Sequence, residues 1–212
     1  MEKLDTETAS PRLKSLYQVC GAAGMIAGVL LLIGVIEFII SLFQPGAING
    51  RLSLFQDNWL VIIFKLQAGF GGVQIDRLHV LNFPDIAILA LVGVTVLGLY
   101  TALPGKSKIW SMIALAQPWL GLALFIATKN AGRSSVMGAV LVISAVMLRS
   151  DIFSRSTAYT GMLAAVLLLV GDLSAGMLHS NIIAILFGIG YALLITWLFL
   201  VARNLLKISG AS

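Results

Sequence analysis

Residues 157–179 read TAYTGMLAAVLLLVGDLSAGMLH, an apolar segment of membrane length with Asp172 inside it and His179 at its end. Seven residues is close to two helical turns, so Asp172, Gly176 and His179 fall within about 40° of one another on a helix. An ionised carboxylate at the centre of a bilayer costs about 2.5–3.5 kcal/mol on insertion scales and more on an isolated helix. Asp172 is therefore expected to face a bundle interior, a partner or water.

Composition points the same way. The 212 residues are 59% hydrophobic and 11% charged, with a mean hydropathy of +1.00; soluble domains carry about 25% charged residues. The expectation is an all-α polytopic membrane helix bundle forming a single transmembrane domain, 1–212, in the lipid bilayer of the cell membrane. The formal charge of +5 comes from basic residues placed singly or in pairs between apolar runs. That pattern fixes topology and gives no basic patch for nucleic acid. Cys20 is the only cysteine, so no intrachain disulfide can form, and no cysteine and histidine cluster suits zinc. The only histidines, His79 and His179, do not suit bis-histidine haem ligation between spans. No cofactor is implied.

Six spans are predicted, at about 17–43, 85–103, 109–128, 134–148, 157–178 and 181–202. Ser10-Pro11 reads as a helix start, and the apolar run from Tyr17 to Phe43 far exceeds the core of a cleaved signal peptide, roughly 7–15 residues. Gly21, Gly24 and Gly28 make a smooth groove, and Ala184, Gly188 and Ala192 make a second. Each is a place where another helix, of this chain or of another membrane subunit, can approach closely.

The outer loop, 44–84, holds the apolar run WLVIIFKLQA, opened by Asp57-Asn58 and closed by Gly69, Gly71 and Gly72. Too short to span, it is expected to be an interfacial helix. Asn82-Phe83-Pro84-Asp85 opens the second span, with Asn82 as cap and Asp85 suited to the helix dipole. Gln117-Pro118 predicts a kink in the third span. The fourth, with about 15 strictly apolar residues, needs its flanks, a tilt or local thinning to cross.

Lys and Arg number nine on the side that holds both termini and five on the other, which favours cytoplasmic termini. Glu37 lies six residues before Phe43 and Asp172 six before Leu178, so each sits about 9 Å below its outer end. Asp85 and His179 belong to the same side. Glu37, Asp85, Asp172 and His179 thus form a candidate outer-side polar pocket. Two carboxylates sharing such a pocket hold a proton or a cation, whereas a basic partner such as Lys65, Arg77 or Lys129 makes a structural pair. His179, beside Ser180-Asn181, also suits a turn capping the sixth helix.

Reaction signatures are missing: there is no HExxH, GxSxG, GxxxxGK[ST] or strand-borne glycine fingerprint. On Asn82-Phe83-Pro84-Asp85 and Gly98-Leu99-Tyr100 the chain resembles, over its full length, a bacterial family of six-helix integral membrane proteins of unknown function. That resemblance implies six spans and no particular activity. Three readings stay open: a structural, scaffold or accessory membrane subunit; a small transporter or cation-binding protein using Glu37 and Asp172; and an intramembrane enzyme working at the outer face.

Overall fold

The computed structural model describes residues 11–43, 83–103, 108–128, 131–175 and 181–210. Among these residues the chain is all-α, with six helices and no strand: α1 (Pro11–Phe43), α2 (Phe83–Ala102), α3 (Lys108–Thr128), α4 (Ala131–Met147), α5 (Arg155–Ala175) and α6 (Asn181–Ser209). Each predicted span overlaps one of them, and residues 176–178 of the fifth lie outside the described residues. The interfacial helix expected at 58–68 lies outside the described residues.

From α2 onward short connections make consecutive helices antiparallel neighbours, and α1 and α2, joined by the long 44–82 segment, pair antiparallel through Tyr17 with Thr101 and Gly24 with Thr95. Each helix packs on the next, and α6 closes the ring against α1. Contacts along the α1 groove fix this geometry. A Cβ at Gly21 would stand 2.8 Å from Leu206 Cγ, one at Gly24 3.2 Å from Thr95 Oγ1 and 3.3 Å from Ala202 Cβ, and one at Gly28 2.9 Å from Phe199. The groove read from Gly21, Gly24 and Gly28 is thus occupied inside the chain, by α6 and α2. In the second stripe no described residue comes within 4 Å of a Cβ added at Gly188. Six alternating helices place the start of α1 and the end of α6 together, at what is called the terminal end; the other is the loop end.

Two helix ends differ from the sequence expectation for identifiable reasons. Ser154 Oγ accepts the backbone N–H of Thr157 at 3.2 Å and pairs with Thr157 Oγ1 at 2.8 Å, so α5 is capped two residues earlier than the apolar run suggests. At the other extreme, α6 continues seven residues past Ala202, through Arg203 and Lys207. Those charges are exposed, but Leu205 between them and Ser209 beyond them are buried. Gly210, at φ 75°, ends the helix in the left-handed region and donates to the Lys207 carbonyl at 3.1 Å.

The core runs through the ring's centre on Val92, Val96 and Leu99 of α2, Val140 and Ile143 of α4, and Leu194, Trp197 and Leu198 of α6. Two helices are long and apolar enough to cross a membrane, over Arg12–Ile36 and Leu186–Ser209; the apolar stretches of the other four are shorter.

Candidate functional site

Three of the four suspect positions lie in helices that end at the loop end: Glu37 near the C-terminus of α1, Asp85 in the first turn of α2 and Asp172 in the last turn of α5. Their side chains, and all of His179, lie outside what the structure describes. On the helix register position 172 follows the buried Gly161, Ala165 and Leu168, position 85 precedes the buried Leu89, Val92 and Val96, and position 37 follows the half-buried Leu30 and Ile33.

A cavity of about 50 Å³ occupies the loop-end half of the bundle. Leu31 of α1, Leu89 and Val92 of α2, Met137 of α4, Leu168 of α5 and Phe187 and Tyr191 of α6 are among its walls. A water needs roughly 10–15 Å³ by this measure together with two to four polar partners. Space is ample here, and among the described lining residues all are hydrocarbon except Tyr191. Positions 85 and 172 each stand one turn nearer the loop end than a lining residue, Leu89 and Leu168.

Pro118 lies inside α3 and, lacking an N–H, cannot donate to the Ala114 carbonyl. Its neighbour is engaged with α4. The Gln117 carbonyl accepts from Ser135 Oγ at 2.9 Å, and the Gln117 amide covers Gly138, whose added Cβ would stand 3.3 Å from Nε2. Gln117 Oε1 is buried and has no donor among the described residues.

A second polar spot was not legible as such in the sequence. Ser144 of α4 and Trp197 of α6 are fully buried, and Ser144 Oγ and Trp197 Nε1 have no hydrogen-bond partner among the described residues. Both press on Gly161 of α5, where an added Cβ would overlap each of them. The available signal was Trp197 itself: well inside an apolar run rather than at its edge, a tryptophan must find a gap in a neighbour, and glycine supplies one.

No family model, curated protein or solved structure matches the chain. Among the described residues no three His, Cys, Asp or Glu side chains gather as a metal site would need.

Proposed function

We propose that the chain is a six-span integral membrane protein serving as a structural, scaffold or accessory subunit, with both termini in the cytoplasm. One observation carries the membrane part. Large apolar side chains face outward around the bundle, with Val19, Ile26, Ile109, Leu120, Leu163 and Ile189 each at least half exposed. A soluble bundle turns its polar residues outward and rarely exposes an apolar patch beyond a few hundred Å²; in hydrocarbon such a surface is the solvated one.

The four shorter helices, of 20, 21, 17 and 21 residues, correspond to about 26–32 Å of rise, close to the roughly 30 Å of a bilayer core. Exposed Trp110 and Tyr159 stand at the terminal end, which also carries the exposed basic residues, as in an aromatic belt beside a cytoplasmic leaflet. The scaffold part rests on the absence of any reaction motif and on the face at Gly188, where no described residue comes within 4 Å of an added Cβ.

Reporter fusions after Lys207 and after His179 should report opposite sides, Lys207 cytoplasmic; matching signals would overturn the six-span topology. Purification from native membranes should bring stoichiometric partners, and a particle that purifies alone would remove the subunit reading.

A second reading is a small transporter or cation-binding protein that uses Asp172 and Glu37. The cavity, in the same half of the bundle and one turn from position 172, supplies space, and because its lining is hydrocarbon apart from Tyr191 the two carboxylates themselves have to hold the cation. If the two carboxylates share a site, Asp172→Asn and Glu37→Gln have coupled effects on stability or cation-dependent uptake, because removing one charge alters the other's environment. Strictly additive effects would set this reading aside.

A further inference from the structure

The charge of this chain is divided unevenly between its two ends. Among the described residues the loop end carries Arg133 against Glu37, Asp85 and Asp172, whereas the terminal end carries seven basic residues, Lys108 among them, against one acidic residue, Asp151. The basic excess therefore lies at the terminal end. Among the described residues Arg12 and Lys14 of α1, Arg149 and Arg155 around the α4–α5 turn, and Arg203 and Lys207 of α6 are all exposed at that end.

These six come from four helices that adjoin in the closed ring, so they form a collar rather than a point. The same end carries two exposed aromatic residues, Trp110 in the first turn of α3 and Tyr159 in the second turn of α5, which are amphipathic residues of the headgroup level. Inward of the collar the helices expose hydrocarbon, including Val19 at 58% exposure and Leu163 at 52%. Guanidinium groups form bidentate bonds with phosphate, and ammonium groups meet it as point charges.

We infer that the terminal end is an anionic-phospholipid collar, which draws lipids with negatively charged headgroups into the ring of lipid touching the protein. The inference rests on the six-span reading, since the collar meets headgroups only if the helices cross the bilayer. Charge complementarity selects the occupant: a leaflet with negative surface potential attracts Lys and Arg held within a Debye length of it, and salt screens that attraction.

Its test uses the whole chain reconstituted in phosphatidylcholine vesicles, with trace spin-labelled phosphatidylglycerol or phosphatidylcholine as probe. The fraction of motionally restricted label measures contact with the protein. We expect phosphatidylglycerol to be preferred by about twofold or more at low ionic strength, the preference shrinking toward equality near 1 M salt. Arg149→Gln, Arg155→Gln, Arg203→Gln and Lys207→Gln together should reduce it at low salt, and the salt series on the unaltered chain reports the same charge effect with no variant. Equal association of both labels with a chain that resists alkaline extraction overturns the collar and leaves the membrane reading standing. A chain that never enters the vesicles overturns both.

Discussion

Gly161→Val is expected to leave no folded protein in detergent extracts, whereas Gly161→Ala folds and melts at a lower temperature. Position 161 is where α4, α5 and α6 meet, and a single added carbon overlaps both Ser144 Oγ and Trp197 Nε1. Neither neighbour has an easy retreat, because Ser144 and Trp197 are fully buried. Overpacking of this kind costs about 1–3 kcal/mol for one carbon and more for a branched side chain. A chain of this size loses roughly 2–4 °C of melting temperature per kcal/mol.

The serine supplies a control. Ser144→Ala removes a buried hydroxyl that has no partner among the described residues, so on its own it should be close to neutral. In the Gly161→Ala background it removes one of the two overlaps and should recover part of the lost melting temperature, which makes the cycle non-additive. Fluorescence-detected size exclusion after a heating series reads all four proteins. A Gly161→Val chain that elutes and melts like the parent would show that the three helices do not meet as described.

What the sequence disclosed follows from which quantities a linear pattern contains. Apolar length and turn chemistry mark the six helices, and small residues at spacings of three and four, as at Gly21, Gly24 and Gly28, mark a close helix approach. Which helix approaches is not in that pattern; α6 and α2 share the groove because the ring closes. The end of α6 shows the same limit. Arg203 and Lys207 read as a departure from the apolar phase, yet Leu205 between them is buried, since a helix can carry charges outward and still pack its other face.

The candidate site divides along the same line. Counting six residues from a helix end gives depth, and Glu37 and Asp172 do share an end of the bundle. Which stripe of each helix its neighbours bury is not in that count: position 172 follows the buried Leu168, and position 37 the half-buried Leu30 and Ile33. The cavity had no sequence signature at all, because it is the space left between five helices that each look continuous and apolar.

Gly98 carries the other large effect, and here the collision is with a backbone-anchored atom. A methyl group at Gly98 of α2 would overlap the Cβ of Cys20 on α1, and would stand 3.0 Å from Cys20 Sγ and 3.2 Å from Leu205 Cδ1 of α6. A Cβ cannot rotate away, so Gly98→Ala has to push α1 and α2 apart. That separation strains the bonds spanning the pair, Thr95 Oγ1 to the Cys20 carbonyl at 3.5 Å and the Tyr17 hydroxyl to the Thr101 carbonyl at 3.3 Å. We expect Gly98→Ala to lower stability by about 1–3 kcal/mol, with Gly98→Leu failing to fold.

The nature of the clash predicts which second change relieves it. Cys20→Ala keeps the offending carbon and should leave the Gly98→Ala defect in place. Cys20→Gly removes that carbon and should restore stability relative to Cys20→Gly alone, which itself loses about 1 kcal/mol of helix propensity. Melting temperatures of the two cycles separate close backbone approach from thiol packing. If Cys20→Ala rescued as well as Cys20→Gly, the sulfur and not the helix separation would set the contact, and the tight α1–α2 junction would have to be abandoned.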